Sequence, residues 1–510
     1  QKAFVENYFL TKVNPELITI DLNSVDEFPM LKETAAYLAV RLTKYTAAGK
    51  SRNSRTVEVR YALIEIPNSL DRFVVLPSEE GKDFVMVLDD IIRHCLNRIF
   101  FMFEYDAIEA HMIKITRDAE LDIDDDLEKS FIEKISTSVS NRKISDPVRF
   151  VYDKRIKLDT LTFLKEKINI ENTDSVIPGG RYHNRRDYMN FPSFGRPELQ
   201  YSKITPLPIP GFEMEASLFD QIRKRDFLLY TPFQNYGYVT RFLKEAALDP
   251  KVREIRITIY RLAKNSQVAA ALINAAKNGK KVTVQIELQA RFDEQSNIDY
   301  ANKFKESGVN LIFGVRGLKV HSKICVVSRE TSSRSLEYFG FISTGNFNES
   351  TARIYTDYTL FTAHKGILTE VEKVFDFLQT TYRIRKYKHL IVSPHYTEST
   401  YTRLIQQEIL NARAGKPASI RIKMNSFTSY KMIDRLYKAS QAGVNIKLVI
   451  RGINCLIPGV KGQSEYIEAI SVVDKFLEHP RVFIFENAGD PKVYISSADW
   501  MTRNIENRVE

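Results

Sequence analysis

Cysteine, tryptophan and long apolar runs are what this sequence has least of. Its three cysteines, Cys95, Cys325 and Cys455, lie far apart in 510 residues and form no CxxC or Cys/His spacing. That excludes a disulfide framework and a structural zinc site, and it suits a reducing compartment. No window approaches the roughly 18 uninterrupted apolar residues of a membrane span, and no signal-peptide pattern opens the chain, so neither a span nor export is expected. A Walker P-loop and a kinase glycine-rich loop are both missing, which removes the conventional routes to nucleotide binding. The acidic run Asp122, Asp124, Asp125, Asp126 and Glu128 lacks the Gly and the spaced carboxylates of a calcium loop and reads as a solvated helix start.

What the chain does have is an ordinary globular make-up, 44% hydrophobic and 27% charged, at a length that suits two to four domains. Its net charge of +10 favours a polyanionic partner. Charge alone does not choose between nucleic acid, an anionic membrane surface and a phosphate-rich substrate.

The segment Gly317-Leu-Lys-Val-His-Ser-Lys-Ile-Cys-Val-Val327 reads as one strand buried on both faces. His321 and Lys323, two apart, leave it on the same side. Downstream, the strand Leu336 to Ser343 ends in Thr344-Gly-Asn-Phe-Asn348, a turn suited to wrapping an oxyanion. A lone strand histidine is ordinarily a hydrogen-bonded core residue. A second copy of the pattern changes that weighting.

Residues 1 to about 205 read as an α+β domain, with strands such as Val57 to Ile66 and Val148 to Tyr152 and a helix from Leu88 to Leu96. The loop Pro178-Gly-Gly-Arg-Tyr-His183-Asn-Arg-Arg186 reads equally as an anion contact and as a plain charged turn. Three alternate prolines in Thr205-Pro-Leu-Pro-Ile-Pro-Gly211 place a boundary there. Beyond it, Ile255 to Tyr260, Gln267 to Lys277 and Val282 to Leu288 spell β-α-β, closed by Gly279. Ile420 to Met424, Lys431 to Gln441 and Val444 to Ile450 spell it again around Gly443. The first strand begins 24 residues before its Gly in one copy and 23 in the other. The second copy also carries a His with a basic residue two on, His479-Pro-Arg481, followed by Ser496-Ser-Ala-Asp-Trp500. Duplicated halves commonly pack about a pseudo-twofold axis, which brings both imidazoles to one cleft.

This paired pattern is similar to the phospholipase D superfamily, although Ser328 stands where that superfamily has an acid and only the second copy keeps one, Glu486. Longer contiguous runs resemble polyphosphate kinases of the first type: Ser175 to Asn184, Ile259 to Lys264, Glu287 to Glu294, Gly317 to Lys323, Ser343 to Asn348, Tyr355 to Tyr358 and Ser496 to Asn504. The resemblance implies an α/β and α+β multidomain protein: an α+β head over residues 1–207, then two phospholipase D-like α/β domains over 208–388 and 389–510, the last incomplete. The N-terminal helical domain of the family is expected to be absent. It further implies that ATP gives its γ-phosphate to His321 and that the phosphohistidine passes it, reversibly, to a growing polyphosphate chain, with His479 as acid-base partner.

The resemblance links Arg261 and Arg291 to the magnesium-phosphate group, and Tyr355, Arg451 and His479 to ATP. Because arginine cannot ligate a cation, the first pair is read as binding the phosphates that hold Mg²⁺. Arg261 and Arg291 follow neighbouring strands of the first repeat, and Arg451 ends the matching strand of the second, at the carboxyl edge where α/β sheets gather ligands. Lys323, Arg481, Asn346 and Glu510 are secondary candidates. Expected partners are ATP, ADP and inorganic polyphosphate, without nucleic acid, in a homodimer or homotetramer located in the cytoplasm or loosely on the inner membrane face. The rival readings are a phosphodiesterase using the same two histidines and a polyanion-binding scaffold with a dead site.

Overall fold

The computed structural model describes residues 1–25, 27–33, 35–47, 55–117, 147–170, 175–290, 293–315, 317–380 and 384–510. The acidic run at 122–128 and Arg291 lie outside these. The described residues before 203 form one compact unit and 203–510 another, which holds both repeats. No helix among the described residues is long and apolar enough to cross a membrane.

In the first unit, a six-stranded sheet runs in the order Ile18–Asp21, Arg55–Glu65, Tyr37–Ala47, Ala107–Arg117, Pro147–Asp153, Val176–Gly179, antiparallel except for the last pair. Alternation along its central strand covers both faces. Leu38, Val40 and Leu42 pack with Ile91 and Ile92, whereas Tyr37 and Ala39 pack with Phe150 and Leu164. The expected helix from Leu88 to Leu96 stops at His94, because Cys95 leaves helical geometry and a separate turn, Leu96–Ile99, follows. The 178–186 loop turns back on this unit: Arg181 and Tyr182 both bond Asp90, which Arg93 also pairs. That favours the plain-turn reading.

In the second unit we number the strands β1 (Phe227–Thr231), β2 (Val252–Ile259), β3 (Lys281–Ile286), β4 (Asn310–Phe313), β5 (Lys319–Val320), β6 (Ile324–Glu330), β7 (Leu336–Ser343), β8 (Tyr355–Thr362), β9 (Ser419–Met424), β10 (Asn445–Ile450), β11 (Ile467–Ile470), β12 (Leu477–Glu478), β13 (Arg481–Phe485), β14 (Lys492–Ser496) and β15 (Arg508–Val509). The first repeat forms a sheet in the order β4-β3-β2-β6-β7-β8, with β1 also pairing β8; the second forms β11-β10-β9-β13-β14. Each has three parallel strands continued by antiparallel ones, so β4-β3-β2-β6-β7 and β11-β10-β9-β13-β14 superpose in order and direction. The crossover helices are Gln267–Lys277, N-capped by Ser266, and Tyr430–Gln441.

Two short pairings stitch the repeats together. β8 runs parallel to β12, and β5 runs parallel to β15. The second corrects the sequence reading of Gly317 to Val327 as one strand. The chain pairs with β15 through Val320, leaves ladder geometry over His321 to Lys323, and joins the main sheet only at Ile324. Thr258 bridges the gap, its hydroxyl donating to Ser322 O at 2.7 Å and accepting from Ile324 N–H at 3.1 Å.

Candidate active site

His321 sits in that break. Its N–H and that of Ser322 donate to Val509 O at 2.8 and 2.9 Å, which draws the next residue of the second repeat, Glu510, against the ring. The carboxylate lies 2.7 Å from His321 Nδ1 and accepts from Ser497 Oγ at 2.5 Å and Asn504 Nδ2 at 2.6 Å. Burial pulls the His321 imidazolium down to about 3 although Glu510 opposes the shift. Burial also pushes Glu510 upward, but His321, Lys323 and Ser497 outweigh it and leave an ionised carboxylate at about 2. The imidazole is therefore neutral, Nδ1–H donates to Glu510, and Nε2 carries the free lone pair. Tyr260 stands edge-on to the ring, centroids 5.0 Å apart at 83°.

Lys323 is buried, donates to His321 O, and holds Nζ 5.1 Å from the Tyr260 ring. Burial, Arg481 and Arg508 press its ammonium well below the usual lysine range, against Glu510 and Asp357.

His479 repeats the arrangement from the other side. Its Nδ1 lies 2.8 and 3.0 Å from the Asp357 carboxylate oxygens, and its Nε2 accepts from Arg481 Nη1 at 3.1 Å. Burial again lowers the imidazolium, against Asp357. Arg481 is held by Asp499 through bonds of 3.2 Å from Nε and Nη2. The β8–β12 pairing brings Tyr355 to His479, ring centroids 5.2 Å apart. Arg451 donates to Asn425 Oδ1 at 2.7 Å and to Glu478 O, beside His479.

A short chain of contacts links the two histidines: Ser343 N–H donates to Lys323 O at 2.9 Å, and the next residue, Thr344, bonds the Asp357 carboxylate that holds His479. Arg481 of the second repeat also reaches Thr344 O of the first, 3.4 Å away. The carboxylates are exchanged: the first repeat gives Asp357 to the second's His479, and the second gives Glu510 to the first's His321.

Of the sequence candidates, His321, Lys323, Tyr355, Arg451, His479, Arg481 and Glu510 meet here. Arg261 lies one residue beyond Tyr260 and pairs with Asp293 at 3.0 Å, its guanidinium carbon 5.7 Å from the Tyr260 ring. Arg291 lies outside the described residues. Asn346 belongs to the turn after β7, which was expected to wrap an oxyanion; three groups at the start of that turn are engaged within the protein. Thr344 N–H goes to Tyr358 O and Gly345 N–H to Ser343 Oγ, while Thr344 Oγ1 donates to Asp357 at 2.6 Å. Gly345 is required by the close approach, since a Cβ there would lie 1.9 Å from Asp357 Oδ2. The Thr344 hydroxyl thus serves Asp357, and the two N–H groups serve the neighbouring strands.

Asp357 and Tyr260 are functional candidates that the sequence does not single out, although both lie in segments that resemble the family. A signal for the first was present: Thr344 bonds an acid 13 residues on, and Ser497 bonds Glu510 at the same interval.

Known proteins place the chain. Residues 1–191 match the family model described as polyphosphate kinase middle domain, 217–384 that for polyphosphate kinase C-terminal domain 1, and 390–510 that for C-terminal domain 2. The chain belongs to the polyphosphate kinase family. Polyphosphate kinases of Vibrio vulnificus (strain YJ016) and Escherichia coli (strain K12) are each 44% identical to it over 515 residues, covering all of this chain and 72% and 73% of their own. The crystal structure of polyphosphate kinase from Porphyromonas gingivalis matches all of this chain and 73% of its own, at a TM-score of 0.81 and 35% identity. Polyphosphate kinase family membership thus extends over the first unit and both repeats alike.

Proposed function

We propose that this chain moves the γ-phosphate of ATP to the end of a polyphosphate through a phosphohistidine on His321, and that the transfer is reversible. The observation that carries this reading is the pair of imidazoles, each with a carboxylate on Nδ1 from the other repeat, with Lys323 beside His321 and with Arg451 and Arg481 beside His479. His321 Nε2 attacks the γ-phosphorus, the N–P bond forms as the bond to the bridging oxygen breaks, and ADP leaves with that electron pair. Glu510 steadies the positive charge that grows on the imidazole. In the second half the terminal oxygen of polyphosphate attacks the same phosphorus, and Nε2 recovers its lone pair. Once phosphate draws the Arg481 guanidinium off His479 Nε2, that nitrogen takes the weakly acidic proton of the incoming phosphate and returns it in reverse, Asp357 stabilising the imidazolium. The cations spread over the transferring group supply the charge stabilisation on which phosphoryl transfer depends.

Mg²⁺ enters this reading as part of the substrate, Mg²⁺-ATP. Among the described residues no group of three or more His, Cys, Asp or Glu could hold an ion, and the site carboxylates are engaged with His321, His479 and Arg261. That fits an ion carried by phosphates and not a protein cage. Arg261 and Arg291 are assigned to those phosphates, and Tyr355, Arg451 and His479 to the nucleotide. We assign 1–207 as the head and 208–388 and 389–510 as the two catalytic halves.

The test is brief exposure to Mg²⁺-[γ-³²P]ATP, followed by mapping of the label and a polyphosphate chase. Acid-labile label on His321 that moves into long chains is expected. Label elsewhere, or release only as inorganic phosphate, overturns the reading.

A further inference from the structure

Glu287 lies one residue beyond β3, buried to within 3% of complete. A buried carboxylate is costly unless its lone pairs are used. This one accepts from Gln289 N–H at 3.0 Å with Oε1 and from Val320 N–H at 2.9 Å with Oε2. Val320 is the residue before His321. Its strand, β5, is two residues long and has β15 as its sheet neighbour. On the side away from β15, a ladder bond is replaced by a side-chain carboxylate reaching in from the neighbouring sheet.

Asn297, fully buried on the helix Glu294–Glu306, fixes where that carboxylate stands. Its Nδ2 donates to Glu287 O at 2.8 Å and to Tyr260 O at 2.9 Å. One amide thus ties the ends of β2 and β3: one carries the ring edge-on to His321, the other the carboxylate that holds its strand. Burial raises Glu287, while Val320, Gln289, Lys319 and Arg508 oppose the shift.

We propose that Glu287 is a positioning residue for phosphoryl transfer. Its carboxylate sets the height of Val320, and through it the placing of His321 between Glu510 and the incoming phosphorus. This rests on the reading of His321 as the phosphorylated residue. The chemistry requires an acid. Two N–H donors converge, and a glutamine in the same place offers one acceptor and turns an NH₂ group towards the second donor. Val320 would then follow its remaining bonds to β15, and a shift of about 1 Å in a nucleophile costs on the order of 100-fold in rate.

The experiment uses the full 510-residue chain and compares wild type with Glu287→Gln and Glu287→Asp. It measures the rate of His321 phosphorylation by rapid quench, the Kd for Mg²⁺-ATP, and the ¹⁵N/¹H signal of the His321 Nδ1–H in histidine-labelled protein. Glu287→Gln is expected to slow phosphorylation by about 100-fold or more, leave Kd within about 3-fold, and shift or broaden the carboxylate-bonded Nδ1–H signal. Glu287→Asp, which keeps both acceptors, is expected to recover part of the rate. Unchanged phosphorylation in Glu287→Gln, or a loss matched by an equal loss of nucleotide binding, overturns the proposal. Should the glutamine variant not fold, the aspartate variant decides by the same criteria: slowed phosphorylation with intact Kd supports, wild-type rate overturns. Failure of the phosphohistidine reading is seen separately, as wild-type label that does not map to His321.

Discussion

At the residue scale, each of the two imidazoles is paired with an acid on Nδ1, and the acid holds the ring proton on that nitrogen. Glu510→Gln and Asp357→Asn each keep the shape of the contact but offer a donor as well as an acceptor, so the proton can sit on Nε2 instead. Each is expected to lower kcat by about 10²- to 10⁴-fold with little change in the Kd for nucleotide, measured by steady-state assay and calorimetry. An equal loss in Kd would mean that the acids hold the fold and not the tautomer. The lowered imidazoles also carry a sign for stability. Folded His321 and His479 bind a proton less readily than they do unfolded, so the unfolded state gains protons first as pH falls. Denaturant midpoints are therefore expected to decline as pH drops from about 6.5 towards the folded value near 3 for His321, and the decline should flatten in His321→Gln. A midpoint independent of pH over that window would contradict the burial of neutral rings.

At the scale of elements, the turn after β7 makes the sharpest demand. Gly345→Ala places a methyl carbon 1.9 Å from Asp357 Oδ2, so the turn or the carboxylate has to move. We expect a stability loss of about 1–3 kcal/mol by thermal denaturation, and a fall in kcat through the displaced Asp357. Wild-type kcat in this variant would show that Asp357 can shift without consequence. The same scale shows what was legible in the sequence. Both β-α-β units were, because apolar periodicity and turn residues are local, and the duplication made two histidines meaningful where one was not. The break at His321 to Lys323 was not, since apolar residues continue through it. What interrupts the strand is its exchange of partners from β15 to β2 and β7, a tertiary fact. Asp357 is hidden in the sequence for the same reason: its partner histidine lies 122 residues away. The Thr344 to Asn348 turn has the composition of an anion loop, and only its bonds to Asp357, Tyr358 and Ser343 reveal that it carries an acid.

At the scale of the whole molecule, neither repeat makes a complete site, because each histidine depends on a carboxylate from the other half. The excess of ten positive charges gives the site a long-range pull on a chain bearing about one charge per phosphate. Because exposed charges are screened over about a Debye length, raising salt from roughly 50 to 200 mM is expected to weaken polyphosphate binding several-fold more than ATP binding, read by fluorescence anisotropy. Equal salt sensitivity would contradict an attraction set by the exposed positive charge. Whether two imidazoles from different repeats meet at one phosphorus atom is tested most directly by an orthovanadate complex. A crystal structure of that complex is predicted to show vanadium bonded to His321 Nε2, with His479 Nε2 in hydrogen-bond reach of a vanadate oxygen. Vanadate bound to one histidine with the other turned away, or held by surface arginines alone, would contradict it.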